Sequence, residues 1–306
     1  MTSDFSGDLN ALRPLPGPQD LPSASRPISL STVPPVPAFI RARGEIRAEF
    51  SCLKGSTHLA RHFEGGGFRL RVPRRDASRG ASGVEGVLIN TGGGLVGGDT
   101  GAIDVALGED ARVTLTTQSA EKIYGSEGPQ TRLDVELHLG ARAVLEWLPQ
   151  ETILFKDANF ARSLHIDMPG SASLTLLESV ILGRKASGEA AVSGRLRDNW
   201  HIYRDKRLVF AESLALGPHL ETQLARKAVT GGAISIATFL HVSEGAESRL
   251  DEVRAALAAA ECECAASAWN GMLVARFLAS EPHHLRRAAQ TLLAQFRGQD
   301  APRIWT

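Results

Sequence analysis

Apolar and polar side chains alternate at a period of two residues from about Gly44 to about Leu240, and this pattern constrains the fold more than any other feature. It is clearest from Thr131 to Leu139, where leucine or valine at every second position alternates with charged residues and a histidine. Side chains of a β-strand point to opposite faces in turn, so one face would meet a core and the other would meet water. The alternation therefore predicts a mainly β protein.

A short pattern recurs within this region. Gly108, Gly140 and Gly170 each stand shortly before a segment of the form Ala-x-x-x-Leu, and the closing leucines are about 30 residues apart. A repeat of that length is typical of stacked strand-turn-strand units. We predict a β-helix-like, solenoid-like body of stacked strands, with an ordinary β-sandwich as the alternative.

The two ends of the chain differ from this region. Eight of the 15 prolines lie between Pro14 and Pro37, and proline removes a backbone donor that sheets and helices need. Residues 1–37 are therefore predicted to form a disordered proline-rich extension, and residues 38–306 to form one domain. Near the other end, helices are predicted at 246–260 and from Pro282 to Gly298, separated by a hairpin that turns at Asn270 and Gly271.

Composition excludes several functional classes. The 34 basic and 34 acidic side chains of the 306 residues leave a formal net charge of +0, which argues against nucleic-acid binding and against a polybasic membrane anchor. No apolar stretch is long enough to span a bilayer, and no signal peptide is recognisable. Three cysteines do not suggest a disulfide framework. We expect a cytoplasmic protein.

A glycine-rich segment opens an alternative interpretation. Gly92, Gly94 and Gly97 follow an apolar strand and match the G-x-G-x-x-G pattern of dinucleotide-binding sites. An NAD(P)-binding oxidoreductase would need a helix after these glycines, because the pyrophosphate binds at a helix N-terminus. The residues from Asp99 onward alternate as a strand instead. A tight turn that requires the conformational freedom of glycine is the preferred interpretation.

Polar residues interrupt the predicted strands at three further places. Lys122 lies in a polar run, Gln150 and Glu151 break an apolar run, and Glu178 lies in a strand. Buried carboxylates need partners or a wet cavity, so an ion-pair network of Glu178 with Arg184 and Glu189 is one interpretation. A carbohydrate-active enzyme that uses Glu151 and Glu178 is a second alternative, although an aromatic content of 6% is low for sugar stacking. No spacing of His and Cys predicts a fixed metal site.

Taken together, six segments in this order resemble the UreD/UreH family of urease accessory proteins. They cover the chain from about residue 44 to its last residues and leave the proline-rich extension outside: Leu88–Asp99, Thr116–Tyr124, Trp147–Phe155, Glu178–Glu189, Asn270–Arg276 and Pro302–Trp305.

The resemblance implies a non-enzymatic maturation chaperone with a β-rich body. Members of this family bind the accessory protein UreF, which recruits the GTPase UreG, and the assembly docks on apo-urease and supports nickel insertion. UreE acts upstream as the nickel donor, and a dimer within the accessory complex is compatible with this scheme. The resemblance thus implies transient Ni²⁺ and no tightly bound cofactor. Family members are proposed to pass nickel through an internal tunnel.

A conduit of this kind needs spaced oxygen ligands that release the ion again. We predict that five carboxylates provide them and that three other polar residues support them: Asp99, Glu146, Glu151, Glu178 and Glu189, with Lys122, Gln150 and Arg184. A UreF-facing surface is predicted at the C-terminal hairpin and helix, where four large apolar side chains occur: Trp269, Leu292, Phe296 and Trp305.

Overall fold

The computed structural model describes residues 41–73, 83–183, 193–299 and 301–305. The predicted disordered extension at 1–37 therefore lies outside the described residues. Seventeen strands are present in the described parts of the chain: β1 (Arg43–Leu53), β2 (Ser56–Gly65), β3 (Phe68–Arg71), β4 (Val84–Asn90), β5 (Thr100–Leu107), β6 (Arg112–Thr117), β7 (Glu121–Ile123), β8 (Thr131–Leu139), β9 (Val144–Leu148), β10 (Thr152–Leu154), β11 (Ala158–Met168), β12 (Ser173–Leu182), β13 (Gly194–Arg204), β14 (Arg207–Leu216), β15 (Ser235–Val242), β16 (Glu263–Trp269) and β17 (Met272–Ala279).

The strands form two sheets. The first sheet has seven strands in the order β14-β13-β11-β8-β5-β1-β2. The second sheet has ten strands, with β16-β17-β15-β12-β9-β6-β4-β3 as its main path, the short strand β10 beside β12, and the short strand β7 beside β10. Strands β1, β5, β8, β11 and β13 are parallel in the first sheet, as are β4, β6, β9 and β12 in the second.

Three successive strand-turn-strand units build the centre of the molecule and confirm the predicted solenoid-like stacking. Each unit passes from the first sheet to the second, as β5 to β6, β8 to β9 and β11 to β12. The turns stack on one another through backbone hydrogen bonds, such as the Gly140 N–H to the Leu107 carbonyl at 2.7 Å and the Ser173 N–H to the Ala143 carbonyl at 2.9 Å. The recurring pattern therefore corresponds to one turn of the solenoid.

The apolar side chains of the period-two pattern fill the space between the two sheets. In β8, Val135 and Leu137 are at most 1% exposed, whereas the charged residues of the strand, Arg132, Asp134 and Glu136, face water. Strand β12 departs from the pattern because seven consecutive residues from Leu174 to Val180 are buried. Helices cover the outer face of the second sheet there, and a strand covered on both sides has no reason to alternate.

Three helices are present among the described residues: α1 (Leu220–Leu224), α2 (Leu250–Leu257) and α3 (Pro282–Arg297). Helices α2 and α3 match the predicted pair, although a 3-10 turn replaces the first residues of the predicted 246–260 helix. Helix α3 ends at Gly298, which has a φ of 62°, as predicted. The N-cap residue is Glu281, whose side chain forms no capping hydrogen bond. None of the helices in the described ranges is long and apolar enough to cross a membrane.

Candidate functional site

A cavity of about 110 Å³ lies between the two sheets. It exists because two neighbouring strands of the second sheet are interrupted at the same level. Residues 118–120 separate β6 from β7, and residues 149–151 separate β9 from β10, whereas β12 continues past both gaps. Pro149 has no backbone donor and cannot continue the ladder. The polar interruptions recognised in the sequence are therefore the structural origin of the cavity.

The two ends of the cavity differ in exposure. At the outer end, Gly93, Gln118 and Lys122 are exposed to solvent. At the inner end, Trp147, Arg162 and Glu178 are at most 4% exposed. The cavity thus connects the surface with a charged group deep between the sheets.

The inner end is built around the buried guanidinium of Arg162 on β11. This group forms ion pairs with Glu178 on β12 and with Asp198 on β13, the second at 2.5 Å. Each carboxylate also accepts a hydrogen bond from an indole N–H: Trp147 donates to Glu178 at 2.7 Å, and Trp200 donates to Asp198 at 2.8 Å. Burial raises the pKa of Glu178, and the attraction of Arg162 opposes this effect. One guanidinium between two carboxylates favours a proton or another cation at this end.

At the outer end, Glu121 of β7 is a carboxylate with neutral partners. The Asn90 side-chain amide donates to it at 2.9 Å, and the Lys122 backbone N–H provides a further hydrogen bond. Among the described residues, no cationic nitrogen forms an ion pair with Glu121. Burial raises the pKa of Glu121, whereas these hydrogen bonds and nearby Lys122 lower it. Burial has the larger effect, and the pKa is about 7. The group is therefore poised to hold a proton or a cation.

The structure gathers three of the predicted site residues at the cavity. Glu178, Gln150 and Lys122 line it. The Gln150 amide is fixed there by bonds to the Thr117 and Gln118 carbonyls at 3.2 and 3.0 Å. Two further predicted residues lie outside the described part of the chain: Arg184 and Glu189. Arg162 therefore provides the ion-pair partner of Glu178 in the described structure.

The other three predicted conduit carboxylates do not line the cavity. The Asp99 carboxylate accepts the Ala42 and Val96 backbone N–H groups at 2.8 and 2.9 Å and holds the turn before β5. Glu146 and Glu151 point to the opposite side of the second sheet, where helix α3 supplies an arginine to each. Their oxygen atoms are occupied by structural bonds, which corrects the prediction that these side chains lie along one internal path.

The two arginine pairs fasten α3 to the sheet. Arg297 donates to both oxygens of Glu146 at 2.8 Å. Arg286 contacts Glu151 at 2.8 and 2.9 Å and also donates to the Trp305 carbonyl at 2.9 Å. The Arg297–Glu146 pair is bidentate, with two guanidinium nitrogens on two oxygens, and such a pair fixes geometry as well as charge. Glu146 and Glu151 therefore stabilise the packing of the helix.

The predicted UreF-facing residues divide into two groups. Trp269 is 42% exposed at the end of edge strand β16. Leu292, Phe296 and Trp305 are at most 5% exposed, because they pack into the core between α3 and the second sheet. The prediction is corrected for these three residues, since the chain itself already covers their side chains.

The glycine-rich segment forms a turn between two strands, not a dinucleotide site. Strand β5 follows the glycines directly, so no helix N-terminus is available for a pyrophosphate. Gly94 has a φ of +149°, and a Cβ atom there would lie 2.5 Å from the Tyr124 ring and 2.7 Å from the Lys122 carbonyl oxygen. Glycine is needed because β7 passes directly beside this turn. The oxidoreductase alternative is therefore wrong in its structural premise.

Within the described ranges, no group of three or more His, Cys, Asp or Glu side chains is arranged to hold a metal ion. Cys262 and Cys264 lie close together at the start of β16, but burial raises the pKa of the Cys262 thiol to about 11. A protonated thiol is a poor ligand and a poor nucleophile.

Sequence reasoning missed three residues of the site: Asn90, Glu121 and Arg162. Glu121 and Asn90 belong to segments that were recognised separately, but nothing in the sequence indicated that their side chains meet. Arg162 occupies an inward position of an alternating strand. A charged residue at a core position is a signal of a buried ion pair, and this signal was available.

The raised pKa of Glu121 predicts a pH-dependent stability difference. Its folded pKa of about 7 exceeds the usual 4.5, so the folded state holds the proton more tightly and loses stability as pH rises between these values. Glu121→Gln should match the unsubstituted protein near pH 4.5 and be more stable by roughly 2 kcal/mol near pH 8, after allowance for partial exposure. Urea unfolding at both pH values measures this difference. An equal difference at both would contradict it.

The comparisons with known proteins agree on one family. A family model described as "UreD urease accessory protein" matches residues 42–306. A protein named urease accessory protein UreD from Methylobacterium sp. (strain 4-46) is 47% identical over 256 residues, which cover 82% of this chain and 89% of the relative. A UreD from Xanthobacter autotrophicus is 44% identical over 87% of this chain and 90% of the relative. A UreD 1 from Methylobacterium radiotolerans is 42% identical over 96% of this chain and 98% of the relative.

Proposed function

Because this chain belongs to the UreD family of urease accessory proteins, we propose that it supports the insertion of nickel into the urease active site. In this proposal the protein is a scaffold and conduit, not an enzyme. It binds UreF, which brings the GTPase UreG, and the complex docks on apo-urease in the cytoplasm. UreE supplies the nickel upstream, and the ion is a transient cargo.

The observation that carries this proposal is the cavity with carboxylates at both of its ends. Glu121 lies at the solvent-facing end and Glu178 at the buried end. Carboxylate and amide oxygens bind divalent ions more weakly than converging His and Cys side chains. A cargo ion must leave as readily as it enters, so weak, separated oxygen ligands suit transport better than storage.

The charge distribution of the cavity supports a cationic cargo. Arg162 is compensated by Glu178 and Asp198, whose two negative charges exceed its single positive charge when both are ionised. Glu121 adds a further carboxylate without an ion-pair partner in the described residues. The Lys122 ammonium also lines the cavity, so the charged groups leave one excess negative charge when all three carboxylates are ionised, and this excess favours a cation.

The test is maturation of apo-urease with UreF, UreG, nickel and GTP, with and without this chain. We expect nickel in purified urease to depend on the chain and to fall roughly tenfold or more with Glu178→Gln, because the buried end loses a charged ligand. Metal analysis of urease gives the nickel content, and co-purification shows whether the complex assembles.

A matched control is Glu109→Gln, which changes a 62% exposed carboxylate on a turn of the solenoid. It should leave the nickel content unchanged. Full nickel content in urease without this chain would overturn the proposed function. Full nickel content with an assembled Glu178→Gln complex would overturn the role of the buried end.

A further inference from the structure

The glycine-rich segment and the polar segment around Lys122 meet at one carboxylate. Asn90 ends strand β4, and its Nδ2 atom donates to Glu121 at 2.9 Å. Its Oδ1 atom accepts the Gly92 N–H at 3.0 Å. An amide that uses both ends in this way has a fixed orientation. The glycine-rich turn therefore fixes the Asn90 side chain, and Asn90 in turn donates a hydrogen bond to Glu121.

The backbone around Glu121 is fixed from two further sides. The Glu121 N–H donates to the Glu151 carbonyl at 2.9 Å, which ties β7 to the break before β10. On the other side, the Leu95 N–H donates to the Lys122 carbonyl at 2.8 Å, and the Tyr124 N–H donates to the Leu95 carbonyl at 2.8 Å. The close approach at Gly94 permits this pairing. Glu121 is thus held on rigid backbone and not on a mobile loop.

Glu121 differs from the other acidic residues near the cavity. Glu146 and Glu151 are held by arginines, and Glu178 is held by Arg162 and an indole. The described hydrogen-bond partners of Glu121 are neutral donors, and nearby Lys122 attracts it without forming an ion pair, so its charge is only partly compensated where it faces the cavity. Such a group gains most from a cation that replaces its lost hydration.

We propose that Glu121 is the carboxylate that first binds the divalent cation at the outer end of the cavity, and that Asn90 positions it. This inference rests on the proposed conduit function and identifies the entry residue of the same cavity. Asn90 acts through Glu121 and does not itself contact the cation. The glycine-rich turn thereby has a role in cargo binding, which is to hold Asn90 against Glu121.

The test measures Ni²⁺ binding by equilibrium dialysis of the complex of this chain with UreF, and nickel in urease matured with that complex. Glu121→Gln keeps the shape and the hydrogen bond from Asn90 but removes the charge. We expect Glu121→Gln to weaken Ni²⁺ binding and to lower the nickel content of urease, each roughly tenfold. Asn90→Ala should lower both quantities by a similar factor, because residues that orient metal ligands affect metal affinity to this extent. Glu136→Gln is the matched control, because the Glu136 side chain is 60% exposed on the first sheet. It should alter neither Ni²⁺ binding nor the nickel content.

A double substitution separates positioning from a merely structural effect. If Asn90 acts through Glu121, Asn90→Ala should have no further effect on Ni²⁺ binding when Glu121 is already Gln. Independent, multiplying losses would overturn the positioning role. Glu121→Gln with unchanged Ni²⁺ binding and nickel content, in a complex that still loads urease, would overturn the entry site alone. A complex with unsubstituted chain that fails to load urease would overturn the proposed function and this inference with it.

Discussion

Replacing Arg162 with Met is expected to lower the free energy of unfolding by ~3–5 kcal/mol. Arg162 is the one cation that contacts both Glu178 and Asp198 in the described structure, and all three side chains are at most 6% exposed. Methionine has a similar length but no charge, so two carboxylates would remain buried without a counter-ion. Urea unfolding followed by circular dichroism measures the loss.

The matched control removes all three charges together. Arg162→Met combined with Glu178→Gln and Asp198→Asn should recover most of the lost stability, because replacing a complete buried ion network costs far less than breaking it. The single variant should also be less destabilised at acidic pH, where protonation neutralises the carboxylates. A single variant as stable as the unsubstituted protein, or a triple variant no better than the single one, would contradict this interpretation.

Replacing Trp305 with Ala is expected to cost ~3–5 kcal/mol of stability. Trp305 is 5% exposed and belongs to the core between α3 and the second sheet. Its indole N–H donates to the Thr116 hydroxyl at 2.8 Å, and its carbonyl accepts from Arg286 and Gln290 at 2.9 and 3.3 Å. Alanine leaves a cavity and an unpaired buried hydroxyl. Thermal and urea unfolding measure the loss.

Trp269→Ala is the matched control, because this tryptophan is 42% exposed. It should change stability by less than about 1 kcal/mol. Trp305→Phe should lie between the two, since it keeps most of the volume and loses the N–H donor. Equal losses for both alanine variants would show that burial at α3 does not determine the cost.

The sequence was sufficient to predict the architecture where local pattern and tertiary environment agree. The alternation in β8 and the recurring turns at Gly108, Gly140 and Gly170 predicted strands and stacking that the structure confirms. The hairpin at Asn270 was also predictable, since asparagine followed by glycine suits its tight turn. These features depend on residues close in sequence.

The candidate site was less accessible to sequence reasoning because its contacts join distant residues. Asn90 and Glu121 are 31 positions apart, and Arg297 and Glu146 are 151 apart. Acidic residues in an apolar run indicated burial but not the side of the sheet on which each one lies. Glu146 and Glu151 therefore looked equivalent to Glu178, whereas arginines of helix α3 hold the first two on the outer side of the second sheet and Arg162 holds Glu178 between the sheets.

Blocking the cavity tests most directly whether this chain carries nickel through its interior. Ala120→Phe places a large side chain on the wall of the cavity, and Ala60→Phe makes the same change at an exposed position of β2. The measurement is nickel per urease after maturation with assembled complexes of each variant. We expect Ala120→Phe to reduce nickel to the level seen without this chain and Ala60→Phe to leave it unchanged. Full nickel loading by an assembled Ala120→Phe complex would contradict transport through the cavity.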